Sequence, residues 1–355
     1  MSLTRYRTLG RSGLVVSPLA LGTMTFGTGR WGTDPASSRA VFDAYRESGG
    51  NLIDTADVYG GGESERMLGE FIADTGSRDE IVLATKFGFH SGAKGNPNGG
   101  GAGAKNIHRA LDASLKRLGT DFIDIYWMHV WDGITPVEEL VQTLGDLVRS
   151  GKIRYYGLSD MPAWLGMKAA TLASERHVPG PVAFQLEYSL VARDVENEHF
   201  PAAKEGGMSI LPWSPLAGGL LSGKYRREGA EQVGRLKGPN PFGNGKFTEH
   251  NWAVVEVLQS VAQEAGRPAA QVALAWTLAQ PNVASTLVGA SSADQLRSNL
   301  EASSLTLTGA QMQRLDRASE REPGFGMALT QPNIRRMVFG GNDVMGWDAP
   351  VDVAM

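Results

Sequence analysis

Cysteine is missing altogether from these 355 residues. That single absence removes disulfide scaffolds, thiolate nucleophiles, zinc–thiolate sites and iron–sulfur ligation together. A basic excess is missing too, since 34 Lys and Arg stand against 38 Asp and Glu for a net charge of −4. Nothing here forms the electrostatic footprint that nucleic acid requires. No apolar run reaches the ~18 residues from which a membrane-spanning helix is built. The start lacks the basic segment followed by an apolar one that directs export. The expectation is a cytoplasmic protein, monomer or homo-oligomer, that acts on a small molecule with no membrane or nucleic-acid partner and no metal.

What is present is an alternation. Short apolar or β-branched runs are followed by amphipathic ones: PLALGT, NLIDT, EIVLATK, FIDIYWMH, IRYYGLS, VAFQLEY, MSILPWS and STLVGAS each precede a stretch of helical period. Eight such units about 30 residues apart predict an α/β fold, a closed parallel (β/α)8 TIM barrel, rather than an open sheet. Asp34-Pro35 and Thr135-Pro136 read as helix starts, and Gly49, Gly119 and Gly151 as left-handed helix ends. RYRTLGRSGLVV, turning at Gly10 to Gly13, reads as an N-terminal hairpin plugging the barrel floor. Residues 1–355 are thus expected to form one barrel domain with long rim loops and an irregular tail from about 320. The Gly- and Asn-rich loop FHSGAKGNPNGGGAGA (89–104) is expected to be mobile.

Three of the strand-like runs end on ionisable residues: Asp54, Lys86 and His129, with Tyr59 just beyond the first. On parallel neighbours their C-terminal ends share one rim, where α/β folds place their chemistry. The set suits reduction of a carbonyl. Hydride arriving at carbon puts negative charge on oxygen, so a proton donor and hydrogen bonds must meet it. Tyr59 can supply the proton if Lys86 lowers its pKa, Asp54 can keep Lys86 charged, and His129 can bind the oxygen.

NLIDTADVYG, VLATKFG and DIYWMHVWD carry that tetrad in the order found in the aldo-keto reductase superfamily, which the chain resembles over essentially the whole barrel. WSPLAGGLLSGKY is similar to bacterial aldo/keto reductases and to the oxidoreductase-like β-subunits of voltage-gated potassium channels. The resemblance implies a nicotinamide cofactor across the mouth, NADPH or NADP+ before NADH. It places Gly22, Thr23, Met24 and Asp54 against the cofactor, Ser159 and Gln185 on the carboxamide, and Trp213 against the ring. Ser214, Leu216 and Gly218 fall at the pyrophosphate, with Lys224 and Arg235 as cations nearby. Gly289, Ser291, Gln295 and Asn299 match the adenosine segment. Two departures stand out: Asp160 replaces the usual Asn or Arg, and Ser298 the usual Glu.

A rival cofactor motif, G-x-G-x-x-G at Gly27, Gly29 and Gly32, invites a Rossmann reading. Trp31 crowds the phosphate approach, and the Thr33-Asp34-Pro35 start delays the helix past the third glycine. Rim aromatics Trp31, Phe87, Phe89 and Trp131, with Tyr59 and His129, suggest an apolar pocket for an aldehyde, ketone or alcohol. Tail residues Phe325, Met327, Phe339, Met345 and Trp347 could cover it or meet a sister subunit. Two other functions remain open: a cofactor-bound sensing subunit with slow turnover, and a Schiff-base barrel using Lys86 as the amine.

Overall fold

The computed structural model describes residues 3–29, 32–228, 236, 245–322 and 324–344. Two strands, β1 (Arg7–Thr8) and β2 (Val15–Val16), pair antiparallel as the expected hairpin. Eight more form one parallel sheet: β3 (Leu19–Gly22), β4 (Leu52–Asp54), β5 (Val82–Phe87), β6 (Ile123–Met128), β7 (Ile153–Ser159), β8 (Ala183–Glu187), β9 (Ser209–Trp213) and β10 (Thr286–Val288). β10 lies beside β3, and the remaining strands follow in chain order to β9. Between β9 and the run into β10, Ile210 N–H donates to Asn282 O at 2.8 Å and Ala284 N–H to Ile210 O at 3.1 Å, closing the (β/α)8 barrel.

The helices of this unit are α1 (Pro35–Glu47), α2 (Glu63–Thr75), α3 (Ala104–Leu118), α4 (Val137–Arg149), α5 (Ala163–Glu175), α6 (His199–Gly206), α7 (Glu249–Ala265), α8 (Ala269–Leu278), α9 (Ala293–Leu300) and α10 (Gly309–Ala318). Asp34 caps α1 as expected, accepting from Ser37 N–H at 2.9 Å. Thr135-Pro136 likewise directly precedes its helix, α4. Pro136 itself is the N-cap of α4, while Thr135 Oγ1 donates to Asp132 Oδ2 at 2.6 Å, because Asp132 organises the turn before the helix. Residues Met1–Ser319 make one compact unit and Glu320–Met355 another. Within the second, α11 (Phe325–Ala328) and α12 (Pro332–Val338) are short helices where the sequence predicts irregular chain.

Alternation along each strand sorts side chains into two cores. Ala20, Leu52, Ala84, Ile125, Trp127 and Leu211 fill the barrel interior, and Leu9 and Val16 of the hairpin pack with them. The plug therefore closes the end where the strands begin. Trp127 stands opposite Gly157 in register, and a Cβ at 157 would come within 2.1 Å of the indole. Glycine there is the condition for a tryptophan inside the barrel. Phe42, Phe71, Phe87, Leu111 and Tyr126 belong to the larger core between sheet and helices.

The 89–104 segment is not the loose loop its composition predicts. Ser91 N–H donates to Gly99 O at 2.9 Å, Ser91 Oγ to Asp57 Oδ2 at 2.6 Å, and Arg109 Nη2 to Ser91 Oγ at 3.0 Å and Gly99 O at 3.1 Å. Its glycines let backbone approach backbone, and the anchors come from residues distant in sequence, where composition carries no signal.

Candidate active site

β4 and β5 are neighbours, with Asp54 opposite Ala84. Asp54 and Lys86 both sit inside the upper barrel, Lys86 at 0 % exposure. A lysine so placed persists only if every donor direction is answered. Its Nζ donates to Asp54 Oδ1, to Thr55 O at 2.9 Å and to Tyr59 OH at 3.3 Å. The other Asp54 oxygen accepts from Gln185 Nε2 at 2.9 Å. Burial works against the Lys86 charge, but Asp54 and Tyr59 overcome it and hold the group above the ordinary lysine value.

For Tyr59 the expectation of a lowered pKa is reversed. Burial raises the phenol above its ordinary value, Lys86 offsets only part of this, and Asp54 and Asp160 add to the rise. Desolvation penalises phenolate more than one shared ammonium favours it. Tyr59 is accordingly a neutral acid at neutral pH. The His129 ring lies 5.8 Å from that of Tyr59, nearly perpendicular to it. Burial, then Lys86, depresses its pKa well below the usual histidine value, so it is neutral, and its Nδ1 is buried without a partner.

Of the expected pocket aromatics, Phe87 is corrected. It is fully buried against Tyr126, ring centroids 4.8 Å apart, in the core outside the sheet. Lys86 points inward, so the next residue must point outward. Phe89 takes its place, with its ring edge-on to His129 at 4.8 Å. Trp131 packs on Trp164 of α5 at 5.6 Å, and Trp164 is half exposed. Trp31 and Arg235 lie outside the described residues, as do Met345 and Trp347.

The residues assigned to a cofactor divide. Ser159 Oγ is buried at the end of β7 without a hydrogen-bond partner. Trp213 closes β9, and its Nε1 donates to Asp160 Oδ1 at 3.0 Å. Beyond it the backbone runs through left-handed φ at Ser214, Ala217, Gly218 and Gly219. The N–H groups of this turn are answered within it: Ala217 donates to Ser214 O at 2.8 Å, Gly218 to Ser214 Oγ at 3.2 Å and Gly219 to Leu216 O at 2.8 Å. Lys224 Nζ would meet a Cβ at Gly219 at 2.8 Å, so the ammonium stands over this turn. Arg227 instead pairs with Glu249 of α7 at 2.9 Å.

The buried Ser159 hydroxyl and the Lys224 ammonium over the turn fit a nicotinamide dinucleotide. Other assigned groups are already engaged. Gln185 holds Asp54, and fully buried Thr23 gives both its N–H, at 2.9 Å, and its Oγ1, at 3.1 Å, to Asp54 O while its Oγ1 meets Ser64 Oγ at 2.9 Å. Gly22 is paired opposite Asp54 at the end of β3, beside half-buried Met24. On α9, Gln295 Oε1 accepts from Ser291 N–H at 2.8 Å and from Ser291 Oγ at 3.0 Å; Gly289 is open and Asn299 buried. Ser298 O accepts from Gln271 on α8 at 2.8 Å. The rival Rossmann motif fails on its helix, because the Asp34 carboxylate already occupies the N-terminus of α1.

One carboxyl went unnoticed in the sequence. Asp57, two residues before Tyr59, is 2 % exposed and bonded to Ser91, with Oδ1 unpartnered. Its only sequence signal is a second acid in IDTADVY, indistinguishable there from a turn residue.

A profile of the aldo/keto reductase family matches residues 18–320. The chain belongs to the aldo/keto reductase family. It is 36 % identical over 336 residues to norsolorinic acid reductase B of Aspergillus parasiticus, covering 91 % of this chain and 86 % of that protein. An aryl-alcohol dehydrogenase of Pestalotiopsis microspora is 36 % identical over 333 residues, 91 % and 84 % of the two chains. A probable voltage-gated potassium channel subunit beta of Oryza sativa subsp. japonica is 35 % identical over 303 residues, 84 % and 90 %. Membership makes the protein an oxidoreductase of the carbonyl-reducing kind, in a family that uses nicotinamide cofactors.

Proposed function

We propose that this aldo/keto reductase interconverts an aromatic aldehyde or ketone and its alcohol, with Tyr59 as the proton donor and NADPH as the preferred cofactor. The observation that carries the reading is the Lys86 ammonium, which donates at once to Asp54, Thr55 O and Tyr59 OH at the mouth of the barrel. When bound, the cofactor supplies hydride to the carbonyl carbon. The chain supplies the rest. His129, neutral, offers a ring N–H to the carbonyl oxygen and turns the carbonyl toward Tyr59. Tyr59, protonated at rest, gives up its proton as charge develops on that oxygen, and Lys86 stabilises the phenolate left behind. Asp54 and Gln185 keep the Lys86 ammonium charged and aimed.

Ser159 would bind the carboxamide, Trp213 the ring face, and the Ser214–Gly219 turn with Lys224 the phosphates. The preference for NADPH rests on Lys224 and on Arg235. The aromatic substrate class is supported by Phe89 beside His129 and the Trp131–Trp164 pair, and it accords with the names of the reductase and dehydrogenase relatives. A Schiff-base role for Lys86 is opposed by its raised pKa, since attack needs the neutral amine.

NADPH consumption with a simple aromatic aldehyde tests the reading. Wild type should turn over steadily, and Tyr59→Phe should lose about 10²–10⁴-fold in kcat while binding NADPH within a few-fold of wild type. A burst of one equivalent with no steady state would favour the slow sensing subunit instead. Retention of turnover in Tyr59→Phe would remove the phenol from the chemistry.

A further inference from the structure

At the end of β7 the chain places a carboxylate where an amide would be enough for hydrogen bonding. Asp160 follows Ser159 with φ of 46°, in the left-handed region. Its Oδ1 accepts from the Trp213 indole at 3.0 Å, and its backbone N–H donates to Gln185 O at 3.3 Å. An asparagine could accept the same indole bond, so the bond alone does not account for the acid. The difference between the two residues is one negative charge, beside the aromatic face proposed to carry the nicotinamide ring.

We propose that the Asp160 carboxylate makes this mouth prefer the oxidised cofactor over the reduced one, and so favours hydride leaving the bound cofactor for the carbonyl. The inference rests on the nicotinamide reading of the site. A ring stacked on the Trp213 indole comes within a few ångström of a carboxylate bonded to that indole's edge. In reduction the carbonyl carbon gains a hydride, its oxygen gains the Tyr59 proton, and the ring left behind carries one positive charge. Only that product ring is attracted to Asp160, because the reduced ring is neutral. The attraction therefore stabilises the product side and leaves the affinity for the reduced form nearly unchanged.

The charge is conditional on pH. Asp160 is exposed at the mouth yet crowded by protein, and desolvation pushes its carboxyl up to about 6 against the Trp213 bond and the neighbouring Ser159 hydroxyl. Glu187 at the end of β8 adds to the rise, and Lys86 of β5 opposes it. Tyr59 faces the same carboxylate and is neutral until far above this range. The preference is thus present above pH 6 and lost below it.

Dissociation constants for NADP+ and NADPH, measured by calorimetry on wild type and Asp160→Asn at about pH 8 and about pH 5, decide the matter. Asp160→Asn keeps the shape and the indole bond but drops the charge. At the higher pH the variant should bind NADP+ more weakly by about five- to twentyfold, with NADPH little changed. At the lower pH wild type should show the variant's ratio. The wild-type pH series alone tests the claim should the variant fail to fold. Equal weakening of both forms, or a ratio independent of pH and of the substitution, would overturn the inference while the cofactor reading stands. Failure of wild type to bind either form would overturn both.

Discussion

Lys86 and Asp54 are the two residues on which the site depends, and their burial makes each costly without the other. Lys86→Met leaves an uncompensated carboxylate inside the barrel and should cost about 3–5 kcal/mol, read from urea unfolding. Replacing both together, Asp54→Leu with Lys86→Met, should recover most of that stability while the protein stays inactive. If the double variant were no more stable than the single, the pair would not be the source of the cost. The tetrad was legible because four ionisable residues fall at strand ends, a position set by the period of the chain. The direction of the Tyr59 shift was not legible, because the sequence names a neighbouring cation but not the depth of burial that outweighs it. Phe87 and Phe89 show the same limit. One residue of register decides which aromatic meets the substrate, and the strand end must be seen before that register is known.

At the scale of elements, the loop after β5 is joined to the segment that carries Tyr59. Asp57 takes the Ser91 hydroxyl, Arg109 of α3 holds Ser91 from the other side, and the same loop lays Phe89 on His129. Burial pushes the Asp57 carboxyl up to about 7; Ser91 opposes the shift, Glu65 adds to it, and Arg117 and Arg109 oppose it. Between the ordinary aspartate value of 3.8 and about 7 the folded protein keeps a proton that the unfolded chain has lost. Its contribution is therefore fully present below the lower value and declines as pH rises through the upper one. Asp57→Asn removes that decline, so the melting temperature of the variant should gain on wild type between about pH 5 and pH 8. A difference constant across that range would mean that Asp57 is already ionised in the fold. The helices were mostly readable from amphipathic period, yet α10 was passed over although Thr308 and Gln311 form a capping box at its start. TLTGAQMQ is short and polar, and reciprocal capping, rather than apolar period, marks it.

For the whole molecule, eight repeats of strand and helix specify closure more firmly than any single strand specifies its place. Each strand is buried on both faces and must find neighbours on both sides, which a ring supplies to all of them. The interior then needs a floor, and the hairpin provides it through Leu9 and Val16. Leu9→Ala should lower stability by about 2–5 kcal/mol through the cavity it leaves, while kcat of the folded fraction stays at the wild-type value. A fall in kcat at unchanged stability would show the floor acting on the mouth. The eight strands were legible for the same reason that the loop anchors were not: strands repeat a local pattern, whereas Asp57, Ser91 and Arg109 meet only after the barrel has formed.

The hairpin fixes more than the floor. Gly10 N–H donates to Ser209 Oγ at 2.7 Å and Arg11 N–H to Gly207 O at 2.8 Å, while Arg7 reaches Leu278 O and Val283 O. The amino end of the described chain is thereby fastened to the side from which the strands start, opposite the rim that carries Tyr59. A surface or fusion partner tethered through that end would hold the enzyme with its doorway turned outward, so immobilised protein should work at the rate of free protein.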